Sequence, residues 1–275
     1  VVKVESSVRP DMFRFWGGAD DSPLFHFSNR SKLGVDLNLK DPDQRGAFLE
    51  LVAGADAVIE NFRRGVLERL DLGFDDLRAV NPRIVLGSVS GQGLDGPRAD
   101  HTTFGSTLEA ASGFSAMTVG TSGVPVVSGP NLNFPDQTVC LFAGAVLAAA
   151  VTRSRATGTA FHLDVSQRDV AVYAAGPLVE QSARGVAPRV WATHVGRQGT
   201  WVAAAADGGT EVEALDGAGV LASCLRDGSC AIVRAPHGEL VKGFPFRFSH
   251  RESVIGGPAP GIGEHDDLIL RKDAS

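Results

Sequence analysis

Asp136 stands in Asn133-Phe134-Pro135-Asp136-Gln137-Thr138-Val139, directly ahead of a thirteen-residue apolar run from Val139 to Val151. An acid that follows proline and precedes an apolar run reads as a helix N-cap. The same place suits a nucleophile. Backbone N–H groups would hold the carboxylate there and the helix dipole would keep it ionised. An ionised carboxylate so placed can attack a reactive acyl carbon.

A second candidate is the loop Ser90-Gly91-Gln92-Gly93-Leu94-Asp95-Gly96-Pro97, whose glycines match G-x-G-x-x-G. A dinucleotide fingerprint needs a strand before the glycines, a helix opening on them and an acid about twenty residues on. The strand is there, but Pro97-Arg98-Ala99-Asp100 follows and no such acid does. The glycines fit better a mobile loop whose amides, at Gly91 and Gly93 among others, approach a ligand. Lys40, Arg63, Arg64 and Arg69 lie near predicted strand ends, where α/β sheets bind anions. They can hold phosphates or form an ordinary solvated face, and composition leaves both open.

Other chemistries fare worse. The seven histidines are scattered without an i, i+4 pair or an acidic partner at ligand spacing, so no metal site is expected. Gly87-Ser88-Val89-Ser90-Gly91 resembles a hydrolase elbow but carries Val89 at its centre, which removes the serine-hydrolase reading. Cys140, Cys224 and Cys230 are too few and too odd in number for a disulfide framework. They suit a reducing compartment, and a cytoplasmic location is expected.

The elements that would position these groups follow from periodicity. Strands are predicted at Val1–Glu5, Gly34–Leu39, Ala57–Ile59, Arg83–Val89 and Phe161–Val165, and helices near Pro42–Val52, Val66–Leu70 and Asp75–Val80. A long helix runs from Asp136 to about Arg155 with Thr157-Gly158 as its stop, and another spans about Gln167–Ser182. The apolar run is too short to span a bilayer and reads as a buried helix. Alternating strand and helix signals predict an α/β fold. Beyond Ala187 the chain becomes glycine-rich and weakly patterned up to a short last helix near Asp266–Leu270. The opening five residues predict a strand already under way rather than a leader. The net charge of -6 argues against a nucleic acid or an anionic membrane as partner.

Taken in order, the segments resemble the family III CoA-transferases. Val1-Val2-Lys3-Val4-Glu5 is similar to the family's VIKVE strand, and Asn29-Arg30-Ser31-Lys32 with Val35-Asp36-Leu37-Asn38-Leu39-Lys40 to its NRxK…DLxxK segment. Glu60-Asn61-Phe62-Arg63-Arg64-Gly65 resembles ENFRPG, with Arg64 where proline is usual. Asn81-Pro82-Arg83-Ile84-Val85 and Ser88-Val89-Ser90-Gly91-Gln92-Gly93 resemble NPRLIY and SISGFG, and Gly243-Phe244-Pro245 with Ala259-Pro260-Gly261 resembles its C-terminal end.

The resemblance implies an acyl-CoA:carboxylate CoA-transferase with Asp136 as nucleophile and an aspartyl mixed anhydride as intermediate. It implies that Lys3, Leu37, Lys40, Asn61, Phe62, Arg69 and Leu70 contact the nucleotide part of coenzyme A, and that the Gly91–Gly96 amides steady oxyanions or shield the anhydride. It implies a Rossmann-like open-sheet large domain at 1–187, a reduced small α/β domain at 188–242 and a C-terminal segment at 243–275 returning to the large domain. A homodimer is expected, and the strand and helix that precede the VIKVE strand in the family are read as missing here. Two alternatives remain. In the related α-methylacyl-CoA racemases a histidine precedes a Ser-Gly pair at the place that Phe104 holds here relative to Ser112-Gly113, and phenylalanine cannot shuttle protons. A non-catalytic CoA-binding subunit is the other.

Overall fold

The computed structural model describes residues 1–18, 22–119, 124, 127, 133–185, 191–195, 201–203, 217–227, 231–234, 238, 240–243, 249–250 and 255–270. The chain forms two compact units, Val1–Phe48 with Leu215–Ser275 and Leu49–Ala214. These divide the chain at other places than the boundaries expected at 187 and 242.

In the first unit β1 (Val2–Glu5) and β2 (Leu33–Asp36) pair in parallel, Val2 opposite Leu33 and Glu5 opposite Asp36. Between them runs α1 (Pro23–Asn29). The start of α2 (Pro42–Gly54) is fixed locally, because Asp41 Oδ1 accepts the N–H groups of Asp43 at 2.9 Å and Gln44 at 3.3 Å. Pro42, which has no N–H to satisfy, takes the first helical position. The chain passes into the second unit within α2.

In the second unit β3 (Ala57–Glu60), β4 (Val85–Ser90) and β6 (Phe161–Ser166) form a parallel sheet with β4 in the middle. Parallel neighbours need crossovers, supplied by α3 (Phe74–Val80) and by the stretch holding α4 (Gly105–Ser112), α5 (Phe114–Met117), β5 (Thr118–Val119) and α6 (Phe134–Thr157). Val85 and Leu86 of the central strand are buried with Leu72, Leu77 and Ile84, as a strand covered on both faces requires. The amide of buried Asn81 donates to Val52 O at 3.0 Å and Ala55 O at 2.8 Å, which ties the end of α3 to the end of α2.

Gly158, in the left-handed region at φ 71°, ends α6 at the expected place. The burial expected of this helix is not found. Pro135, Val139 and Ser154 are buried, whereas Leu141 is 75% and Phe142 43% exposed. Apolar residues surround the helix on all sides, and among the described residues only one of those sides meets the sheet. By length and composition alone α6 could cross a membrane. Here it lies along the sheet, with Ser154 Oγ donating to Arg83 O and Val139 packed against Val165 and Val170.

After β6 the expected single helix is two, α7 (Gln167–Ala174) and α8 (Gly176–Ala183), because Pro177 lacks the N–H that would continue the first. β7 (Trp191–Val195) pairs in parallel with β5 and antiparallel with β8 (Trp201–Ala203). The chain then returns to the first unit with α9 (Gly217–Arg226), the antiparallel pair β9 (Ile232–Arg234) and β10 (Leu240–Lys242), and α10 (Asp266–Ile269). That last segment docks on β2: His265 N–H donates to Gly34 O at 2.9 Å and Asp36 N–H to Asp266 Oδ1 at 2.9 Å.

Candidate active site

Helix α6 runs opposite to the strands it covers. Its last turn is fastened where strands begin, through Ser154 to Arg83 O just before β4 and through the Arg155 guanidinium to Asp56 just before β3, at 2.6 and 3.0 Å. Its first turn therefore lies at the carboxyl edge of the sheet, where open parallel sheets take ligands. Asp136 is in that turn, and Gln167, the first residue after β6, donates from Nε2 to Asp136 Oδ1 at 3.0 Å.

Asp136 is not the N-cap. Asn133 is, and Phe134 and Pro135 open the helix. The carboxylate is also not kept at low pKa as the dipole argument predicts. Burial pushes it up, hydrogen bonds from Asn133 and Gln167 oppose this, and the charge of Glu109 adds to the rise. Desolvation outweighs the dipole because the carboxylate turns inward instead of capping the helix end in water.

Helix α4 shapes this corner. Its first residue must be glycine: a Cβ at Gly105 would lie 2.1 Å from Asn133 Cγ and 2.2 Å from Asn133 Cβ. One turn on, Glu109 is 3% exposed and accepts the Phe134 N–H at 3.2 Å. Glu109 was not singled out from the sequence. A signal existed, since Gly105, Leu108, Glu109 and Ser112 share one buried face at helical spacing, and an acid on such a face needs a reason to be there.

The glycine loop leaves β4 at the same edge. Gly91 is pressed against Thr103, whose Oγ1 would lie 1.8 Å from an added Cβ, and its carbonyl accepts the Arg168 N–H at 3.1 Å. Gly93 turns at φ 82°. The Leu94 amide is taken by both Asp164 oxygens at 3.1 and 3.0 Å, and the Gly96 amide by Asp95 at 2.6 Å. Those two amides are committed to carboxylates, which removes them from the oxyanion role expected of the whole segment.

The other expected ligand contacts divide between the units. In the second, Asn61 donates from its side chain to Val89 O and Phe62 is 46% exposed just beyond β3. Arg69 and Leu70 follow in a short 3-10 turn, Glu68–Leu70, with Arg69 exposed. In the first, Lys3 ion-pairs with Glu5 at 3.2 Å and Asp11 at 3.0 Å. Leu37 is buried, and Lys40 is exposed with its amide on Asn38 Oδ1. Cys230 lies outside the described residues. Among the described residues no cluster of three His, Cys, Asp or Glu could hold a metal.

The family model of CoA-transferase family III matches residues 1–215. The chain belongs to this family. The family III chain is 37% identical over 191 residues to an acetyl-CoA:oxalate CoA-transferase of Acetobacter aceti, covering 68% of this chain and 49% of that one. It is 31% identical over 179 residues to a succinate–glutarate CoA-transferase of Agrobacterium fabrum, covering 62% and 44%. The chain thus spans about half the length of the curated relatives it matches. The crystal structure of a CaiB/BaiF family protein from Brucella suis superposes with a TM-score of 0.84 at 20% identity, over 98% of this chain and 90% of that one, which shows a shared fold.

Two outcomes follow from this geometry. Gly105→Ala should cost about 1–3 kcal/mol by urea unfolding; an unchanged midpoint would contradict the close approach. A carboxyl whose folded pKa is raised keeps its proton where the unfolded chain has lost it, so stability falls as pH rises through that window. Asp136→Asn should therefore melt a few degrees above wild type at neutral pH, with the gap closing below about pH 4.

Proposed function

We propose that this family III chain carries out CoA transfer between an acyl-CoA and a free carboxylic acid, with Asp136 as nucleophile. The observation that carries the proposal is the partly buried carboxylate of Asp136 at the carboxyl edge of the sheet, held by Gln167 and raised in basicity by its surroundings. Raised basicity makes a better nucleophile. One Asp136 oxygen attacks the thioester carbonyl, the C–S bond breaks, and CoA leaves as thiolate from an acyl–aspartyl anhydride. The acceptor carboxylate replaces the donor acid on the Asp136 acyl carbon. The thiolate then attacks the acceptor's carbonyl and returns Asp136 as a carboxylate. The names of the relatives support this class of reaction and leave the two acids open.

Coenzyme A would draw on exposed Arg69 and Phe62 beyond β3 for its phosphates and adenine. Lys3, Leu37, Lys40, Asn61, Leu70, Gly91 and Gly93 complete the proposed contact set. We also propose a homodimer. The outward side of α6, with Leu141, Phe142 and Tyr173 around an apolar groove of about 600 Å³, is the kind of surface a second chain covers. The racemase alternative lacks support at Phe104, which is 60% exposed just before α4 and carries no proton.

Exchange of label between an acyl-CoA and its free acid tests the proposal. Asp136→Asn should lower exchange by about 10³-fold or more while CoA affinity moves less than about threefold; equal loss of both would make Asp136 a structural residue, and unchanged exchange would exclude it. Arg69→Ala should weaken CoA binding about 10- to 100-fold, and unchanged affinity would remove it from the site.

A further inference from the structure

We infer that Glu109 is a positioning residue for Asp136, its buried carboxylate anchoring the first turn of α6 through the Phe134 amide and supplying the negative field in which Asp136 works. The inference rests on the proposed role of Asp136 and deepens it.

A carboxylate that is 3% exposed is costly to keep in a fold. The described bond of Glu109 is to the Phe134 N–H at 3.2 Å. That amide is among the first in α6 and has no partner within the helix. Asn133, the N-cap, does not satisfy one of these amides with its side chain, which bonds to Asp136 instead. Glu109 thus does the capping from a neighbouring helix, and this frees Asn133 to hold the nucleophile. Gly105, one turn earlier on the same face of α4, leaves the space that Asn133 occupies.

The charges around Asp136 make the electrostatic part specific. From α4 comes Glu109, from α7 the neutral Gln167, and from the N-cap of α6 Asn133. Arg168 and Asp169 at the start of α7 pair with each other at 2.8 Å. Asp164 of β6 is spent on the Leu94 amide. Among the described residues, the groups that shift Asp136 include Glu109 as a charge and no cation. Like charge at short range raises basicity, so Glu109 would make Asp136 a stronger nucleophile than its hydrogen bonds alone allow.

Glu109→Gln separates the two parts, because the amide oxygen can still accept from Phe134 N–H while the charge is gone. The experiment measures unfolding free energy against pH for wild type, Glu109→Gln, Asp136→Asn and the double variant. The effect of Glu109→Gln should differ between the wild-type and Asp136→Asn backgrounds at neutral pH, and the difference should vanish below about pH 4. Equal effects in both backgrounds at every pH would overturn the inference, whatever the activity. In the exchange assay Glu109→Gln should move the acid limb of kcat/KM down by several tenths of a pH unit and lower kcat several-fold with KM for acyl-CoA unchanged. A limb that stays in place, or moves up, would also overturn it. Coupling in the folding data with no exchange in any of the four proteins would instead count against the transferase proposal and leave the Glu109–Asp136 relation standing.

Discussion

Desolvating a carboxylate is unfavourable, and the second unit is arranged around one such group. The Asp136 side chain leaves the water at the start of α6 and turns toward α4 and α7. Its compensation is two neutral donors, Asn133 and Gln167, and each constrains something else. Gln167 must follow β6 directly, which fixes where the strand ends. Asn133 must lie over a residue without a side chain, which fixes Gly105. With Asn133 so occupied, the open end of α6 needs another acceptor, and Glu109 provides it at the expense of a second buried acid.

The sheet supplies the rigidity this corner needs. Parallel pairing of β3, β4 and β6 aligns three carboxyl ends at one edge. The fastening of the last turn of α6 to Arg83 O and Asp56 sets the direction of the helix, so that its first turn arrives at the same edge. Asn61, bound to the carbonyl of Val89, and Gly91, pressed on Thr103, follow β3 and β4 there as well. The strands bring together residues that are up to about a hundred positions apart in sequence, and no single segment contains the site.

Much of this was legible in the sequence where one physical cause dominates locally. β-Branched runs gave the strands, Gly158 gave the end of α6, and Pro42 the start of α2. The start of α6 was misplaced by three residues because Asp136 has the right type for an N-cap. Pro135 was the better guide, since proline belongs inside the first turn and moves the cap back to Asn133. The Gly176-Pro177 break between α7 and α8 was similarly present but passed over. Glu109 could not be assigned from type alone: its role depends on a contact with Phe134 25 positions away. The rise in basicity of Asp136 follows from burial, and a helix-end argument predicts the opposite sign. The half-exposed α6 departs from its pattern for another reason, since a helix apolar on every side reports that all sides prefer cover, not that this chain provides it.

The central claim is that Asp136 forms an anhydride with the acyl group. The most direct measurement is intact and peptide mass after incubation with a panel of acyl-CoAs and hydroxylamine, with Asp136→Asn alongside. A hydroxamate on Asp136, absent from the variant, is the predicted result. No adduct at Asp136 in protein shown to bind coenzyme A would contradict it and leave a CoA-binding chain without this chemistry.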